Sequence, residues 1–237
     1  MQQDKKKLVE FIRANIKDKL GNLVFRELTF EIKEGQSIFI LGHDDKERTL
    51  ILYTILGLLK PSMGLVKVFG NNIKSLNEIK LLSLRSRIGY VHPQRGLIDN
   101  ISLKENIILP LRYNSNLSDE EIDERLNTIS EAFKLNEIIE MNSWELDNVS
   151  EKKILFARSI IHRPEILLID EPTTYIEQKD IEEILELIKI VFKRHFLPIT
   201  TSIVITTENE DFALKMADKI LCLEDGRLKY FRRPKKG

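Results

Sequence analysis

Four consecutive apolar residues, Ile166, Leu167, Leu168 and Ile169, run directly into Asp170, Glu171 and Pro172. A short apolar run bounded by turn signals reads as a fully buried strand, and the preceding stretch, Ala157 to Pro164, reads as a helix end followed by a turn. Strands buried on both faces belong to parallel sheets covered by helices. The carboxyl edge of such a sheet is where ligands gather, so two adjacent acids there are placed to hold a divalent cation and a water. The same residues would also suit a plain core strand, because proline stops pairing and acids are common at strand ends.

Upstream, Ser37 to Gly42 (SIFILG) is a second strand-like run, followed by HDDKERT and the apolar helical pattern TLILYTILGLL. A strand-to-helix turn of the form GxxxxGK[ST] cradles phosphates with its backbone N–H groups, reaches the terminal phosphates with its lysine and binds Mg²⁺ through its hydroxyl. Laid on Gly42 to Thr49, the first glycine and the final threonine are kept, Glu47 stands at the second glycine and Arg48 at the lysine. Glu47, and Asp45 at another usual glycine position, put Cβ atoms where the backbone often needs positive φ or a close phosphate approach. Asp44, Asp45 and Glu47 against Lys46 and Arg48 leave the turn about one unit negative. A like charge about 4 Å from a triphosphate costs on the order of 4 kcal/mol at an effective dielectric of about 20.

Segment by segment, the chain resembles the nucleotide-binding subunits of ABC transporters, from about Leu8 to about Tyr230. VFRELTFEIKEGQSIFILG is similar to the family's opening strands, LLKPSMGLVKVFGNNI to its hairpin, IGYVHPQ to the strand before its glutamine loop, NISLKENIILPLRY to the start of its helical subdomain, ARSIIHRPEILLIDEPTT to its Walker B region and MADKILCLEDGRL to its closing strands. The resemblance implies an α/β P-loop NTPase core of the ABC-ATPase type, a mostly parallel sheet with helices on both faces and an N-terminal antiparallel region. Residues 1–237 would form one nucleotide-binding domain with a helical subdomain inserted at 95–160.

It also implies roles. ATP and Mg²⁺ would be the cofactors, with Gly42, Asp45, Glu47, Arg48 and Thr49 at the phosphates and Leu20 where the family stacks an aromatic on adenine. Thr49, Asp170 and Gln94 would hold the metal, Pro93 being the alternative slot for the glutamine. Glu171 would polarise the attacking water, and Thr207 stands at the switch histidine. The signature segment falls on Leu146 to Ser150, where Asp147 would aim a carboxylate at a γ-phosphate held by an opposite subunit; an ordinary helix cap from Asp147, Asn148 or Ser150 is the other reading. Glu177 replaces the usual aspartate of the loop after Walker B.

Composition narrows the setting. The 237 residues suffice for one sizeable core, and the longest apolar stretch, Leu50 to Leu59, falls short of the roughly 18 residues that cross a bilayer. Lys+Arg and Asp+Glu both total 37, so no field points to nucleic acid. The tail RRPKKG reads as solvated or as a headgroup or permease contact. The single cysteine, Cys222, has apolar neighbours that suggest core packing in a reducing compartment. The expected location is the cytoplasmic face of the membrane, as a peripheral protein.

Helical periodicity is clear in two places. Ser118 and Glu121 form a capping-box pattern, after which Ile122, Leu126, Ile129 and Phe133 share one face. After Gln178, the residues Ile181, Ile184, Leu185, Ile188, Val191 and Phe192 make a second stripe. The expected partner is an integral membrane permease, received near Gln94 to Leu111, with assembly as a homodimer or as a heterodimer with another nucleotide-binding subunit. Hydrolysis is expected to be slow or absent, the alternative being a non-catalytic scaffold. ISLKENIILPLRY is similar to lipid-transport subunits, with lipoprotein-release and cell-division relatives also open.

Overall fold

The computed structural model describes residues 5–42, 44–94, 96–193, 195–224 and 226–230. The tail RRPKKG lies outside the described residues. Two compact units divide the chain, one from 1–85 with 202–237 and the other from 86–201.

The first unit opens with the antiparallel pair β1 (Lys7–Lys17) and β2 (Leu23–Lys33), which place Phe11 against Phe30 with ring centroids 4.4 Å apart. β3 (Ser37–Leu41) is buried along its whole length and leads into α1 (Asp45–Ile55). β4 (Met63–Val68) and β5 (Asn71–Asn72) complete a four-stranded sheet in the order β2-β1-β4-β5. α2 (Glu78–Arg85) follows, fastened by Arg85 Nε donating to the Leu56 carbonyl at 2.9 Å.

The second unit begins with β6 (Ile88–Val91) and continues with three helices, α3 (Leu103–Asn114), α4 (Asp119–Phe133) and α5 (Asn148–Ile160). Ser118 and Glu121 form the expected capping box on α4, which buries Ile122, Leu126, Ile129 and Phe133. β7 (Ile166–Asp170) is fully buried and pairs in parallel with β6, Ile88 opposite Ile166 and Val91 opposite Ile169. β6 and α5 approach so closely that a Cβ on Gly89 would stand 2.1 Å from the Ser159 carbonyl. α6 (Ile181–Phe192) buries Ile184, Leu187, Ile188 and Val191. Leu187 joins the stripe, while Ile181, Leu185 and Phe192 are only half-buried, because the covered arc is narrower than the apolar pattern.

The chain then returns to the first unit through β8 (Ser202–Thr206), α7 (Glu210–Met216), β9 (Lys219–Glu224) and β10 (Arg227–Tyr230). β3 pairs in parallel with both β8 and β9, and β10 turns back antiparallel on β9. Cys222 is half-exposed rather than packed in the core, although its neighbours Ile220, Leu221 and Leu223 on β9 are buried. Among the described residues no helix is long and apolar enough to cross a membrane. The expected mixed α/β assembly, with an antiparallel N-terminal sheet and parallel strands under helices, is the one observed.

Candidate functional site

A helix begins where its first-turn N–H groups find acceptors, and in α1 the acceptor is the chain's own aspartate. Asp44 adopts an extended backbone, and its Oδ1 accepts from the N–H of Lys46 at 2.9 Å and of Glu47 at 3.2 Å. The Lys46 N–H is shared with Asp45 Oδ1 at 2.8 Å, and the Arg48 N–H donates to the Asp44 carbonyl at 3.3 Å. Asp45 and Glu47 are therefore residues of the helix rather than of an open turn. Neither has positive φ, so the Cβ atoms cost nothing in this arrangement.

Arg48 is 2 % exposed, and its guanidinium donates to the carbonyl of Gly42. Its charge is thus turned back on the strand end it follows. Thr49 is half-buried on the next turn of α1. Burial, followed by the nearby Asp44 carboxylate, pushes the Glu47 carboxyl above its ordinary range. Glu47 also lines a cavity of about 600 Å³ together with Leu23, Val24, Arg26, Gly226 and Arg227. Leu20 is not part of that wall: it is 86 % exposed at the β1–β2 tip, where Asp18 ties the turn by accepting from the Leu20 N–H at 2.9 Å. Thr207 is 2 % exposed, its N–H donating to the Ile40 carbonyl at 3.2 Å and its Oγ1 accepting from the Asn209 N–H at 3.1 Å.

In the second unit β7 delivers Asp170, fully buried, and Glu171, 5 % exposed, to the end of the strand. Tyr90 on the neighbouring β6 donates its hydroxyl to Asp170 Oδ2 at 2.8 Å. Glu171 has φ of 43°, in the left-handed region, and its carbonyl accepts from the Thr174 N–H at 3.1 Å, closing the loop after the strand. Among the described residues no group of three or more His, Cys, Asp or Glu side chains is placed to hold a metal.

Gln94 is brought to the same unit's loop and helix residues. Its side-chain Nε2 donates to the Tyr175 hydroxyl at 3.1 Å, and Asn148 Nδ2 donates to the Tyr175 carbonyl at 3.0 Å. Asp147 is the N-cap of α5, Oδ1 accepting from the Ser150 N–H at 2.7 Å, and this bond holds its carboxyl below the usual range. Of the three cap candidates, Asp147 is the one used. Lys152 is 4 % exposed and its ammonium donates to the Pro93 carbonyl at 2.9 Å. Burial lowers its pKa to about 8, with Glu151 and Asp170 opposing the shift. These segments surround a cavity of about 400 Å³ lined by Gln94, Asn148, Lys152, Leu155, Tyr175 and Ile176, among others. Glu177 lies outside that group, in an exposed ion pair with Lys179 at 2.9 Å.

Sequence reading missed Tyr90, Lys152 and Tyr175. Tyr90 carries no usable signal, because its place opposite Leu168, next to the strand end that bears the acids, is set by the parallel pairing of β6 with β7. Lys152 and Tyr175 carry none, because a lysine in a helix and a tyrosine in a loop are ordinarily solvated.

A model of the ABC transporter family matches residues 25–174. The lipoprotein-releasing system ATP-binding protein LolD of Rickettsia bellii is 31 % identical over 88 % of this chain and 91 % of its own length. The energy-coupling factor transporter ATP-binding protein EcfA2 of Caldanaerobacter subterraneus is 27 % identical, over 91 % of this chain and 74 % of its own. Among solved structures, the dimeric ATP-binding cassette MJ0796 with bound ADP and Pi aligns with a TM-score of 0.81 at 24 % identity, covering 95 % of this chain and 99 % of that one. The last likeness concerns the fold; the family model and the identity to LolD, taken with acids at the end of a buried parallel strand, establish that the chain belongs to the ABC transporter family as one of its ATP-binding cassettes.

Proposed function

We propose that this chain is a transporter's ATP-binding-cassette subunit with weak or no ATP hydrolysis, docked on an integral membrane permease at the cytoplasmic face. It works paired with a second copy or another nucleotide-binding subunit, and its main contribution is to complete and regulate the complex. Relatives in the family bind ATP, typically with Mg²⁺. By resemblance to the family, Thr49, Asp170 and Gln94 stand at its metal-holding positions and Glu171 at the position that would orient water.

The observation that carries the reading is the Asp44 cap with the inward Arg48. A helix N-terminus binds phosphate because its N–H groups are unsatisfied and its dipole favours an anion. At α1 a carboxylate already accepts from the N–H groups of Lys46 and Glu47. The cation expected to reach the phosphates donates to Gly42 instead. As folded, these residues do not fit a triphosphate, which would have to displace the aspartate and face Glu47 as well. The Asp147 cap on α5 supports the same reading, since it sets a second carboxylate where the family addresses a γ-phosphate.

Calorimetric titration with MgATP tests the proposal. The wild-type chain is expected to show no heat of binding at millimolar nucleotide, and the triple variant Asp44→Gly, Glu47→Gly, Arg48→Lys is expected to gain affinity by at least tenfold. Micromolar binding by the wild-type chain would overturn the reading. Copurification with an integral membrane subunit tests the docking half separately.

A further inference from the structure

Tyr175 is the point where two segments of the second unit meet, and its geometry is costly. Its φ is 65°, in the left-handed region that a bulky L-residue enters only at a cost. The ring is 61 % exposed, so burial does not offset that cost. Two hydrogen bonds do. The left-handed turn presents the Tyr175 carbonyl to Asn148 Nδ2 at 3.0 Å, while the phenol oxygen accepts from Gln94 Nε2 at 3.1 Å.

The cavity of about 400 Å³ lies beside the Gln94 loop, and polar ties hold that loop. Lys152 holds the carbonyl of Pro93 at 2.9 Å, His92 Nδ1 accepts from the Gln94 N–H at 3.0 Å, and further along Arg158 Nη2 donates to the Gly96 carbonyl at 2.7 Å. Every one of these ties reaches backbone. The Gln94 side chain itself is held by Tyr175.

We propose that Tyr175 is a positioning residue that latches the Gln94 side chain to the first turn of α5, fixing the amide on the protein's own phenol. Resting on the function proposed above, the latch joins the loop to α5 without nucleotide. Its existence can be tested with no nucleotide present, so its failure is distinct from failure of that reading.

Side-chain amide resonances of the ¹⁵N-labelled full chain give the measurement. In Tyr175→Phe, which keeps the ring and removes the hydroxyl, the Gln94 Nε2 pair is expected to shift and to exchange with solvent at least fivefold faster. The Asn148 Nδ2 pair, bonded to a carbonyl, is expected to stay. Gln94→Glu should keep the latch with its direction reversed, because a carboxylate accepts from the phenol: backbone exchange at Gly96 to Ile98 is expected to remain at the wild-type rate in Gln94→Glu and to rise in Gln94→Glu with Tyr175→Phe. A Gln94 pair unchanged in Tyr175→Phe, or equal exchange in the two Gln94→Glu chains, overturns the proposal.

Discussion

The guanidinium of Arg48 donates to the carbonyl of Gly42, six residues earlier, and is buried to 2 % exposure. The side chain closes the turn between β3 and α1 from inside. Removing it orphans a partly buried carbonyl, worth about 1–3 kcal/mol, and takes away packing by the stem. Arg48→Ala is therefore expected to lower the unfolding free energy by about 2–4 kcal/mol in urea denaturation. Arg48→Lys should fall between, since a compact ammonium does not reproduce the planar fork. An Arg48→Ala loss under about 0.5 kcal/mol would mean that this bond does not hold the turn.

Asp44 caps α1 through its side chain, accepting from Lys46 and Glu47. Replacing such a cap by alanine costs about 0.5–2 kcal/mol, whereas serine retains an acceptor oxygen. Asp44→Ala is expected to lose about 1 kcal/mol and Asp44→Ser about half of that. Removing the charge should also bring the Glu47 carboxyl down towards its ordinary range, because Asp44 is one of the two causes of its elevation. NMR titration of the Glu47 side chain reads that change, and an unmoved midpoint in Asp44→Ala would contradict it.

Lys152 carries its proton in the unfolded chain up to about 10.5 and in the folded chain only up to about 8. Between those values the unfolded state binds the extra proton, so stability rises with pH across the window. A shift of this size corresponds to about 3 kcal/mol. The difference in unfolding free energy between the wild-type chain and Lys152→Met should therefore move in favour of the wild type by a few kcal/mol between pH 8 and pH 10.5. A difference constant with pH would show that the ammonium is not desolvated.

His162 works in the opposite pH range. Burial lowers its pKa from 6.5 to about 4, and its Nδ1 is without a hydrogen-bond partner. As pH falls below 6.5 the unfolded chain takes up the proton while the folded chain does not, so stability drops progressively until about pH 4. The expected loss is about 3 kcal/mol. His162→Phe, which cannot titrate, should flatten this part of the acid limb; denaturation at pH 7 and pH 4.5 checks it, and equal slopes for both chains would refute the assignment.

The backbone plan was legible in local pattern, because buried strands and amphipathic helices declare themselves by apolar period. Ile166 to Ile169 form the buried strand that delivers Asp170 and Glu171, and Ser118 and Glu121 cap α4. Family membership was equally legible, since it rests on the order of segments along the chain. Residue choice also announced that the turn after β3 carries excess negative charge, a quantity that needs no coordinates.

What the sequence could not decide is where each polar group finds its partner. Asp44 as a cap for α1, Arg48 folded onto Gly42, Tyr90 on Asp170 and Gln94 on Tyr175 are pairings between groups with several available partners. Hydrogen bonds are short and directional, so a shift of about 1 Å exchanges one partner for another, whereas apolar burial tolerates such shifts. Composition and period therefore marked out the buried strands and helices, and the tertiary structure alone decided how wide the covered arc of α6 is and which carboxylate, amide and guanidinium answer one another.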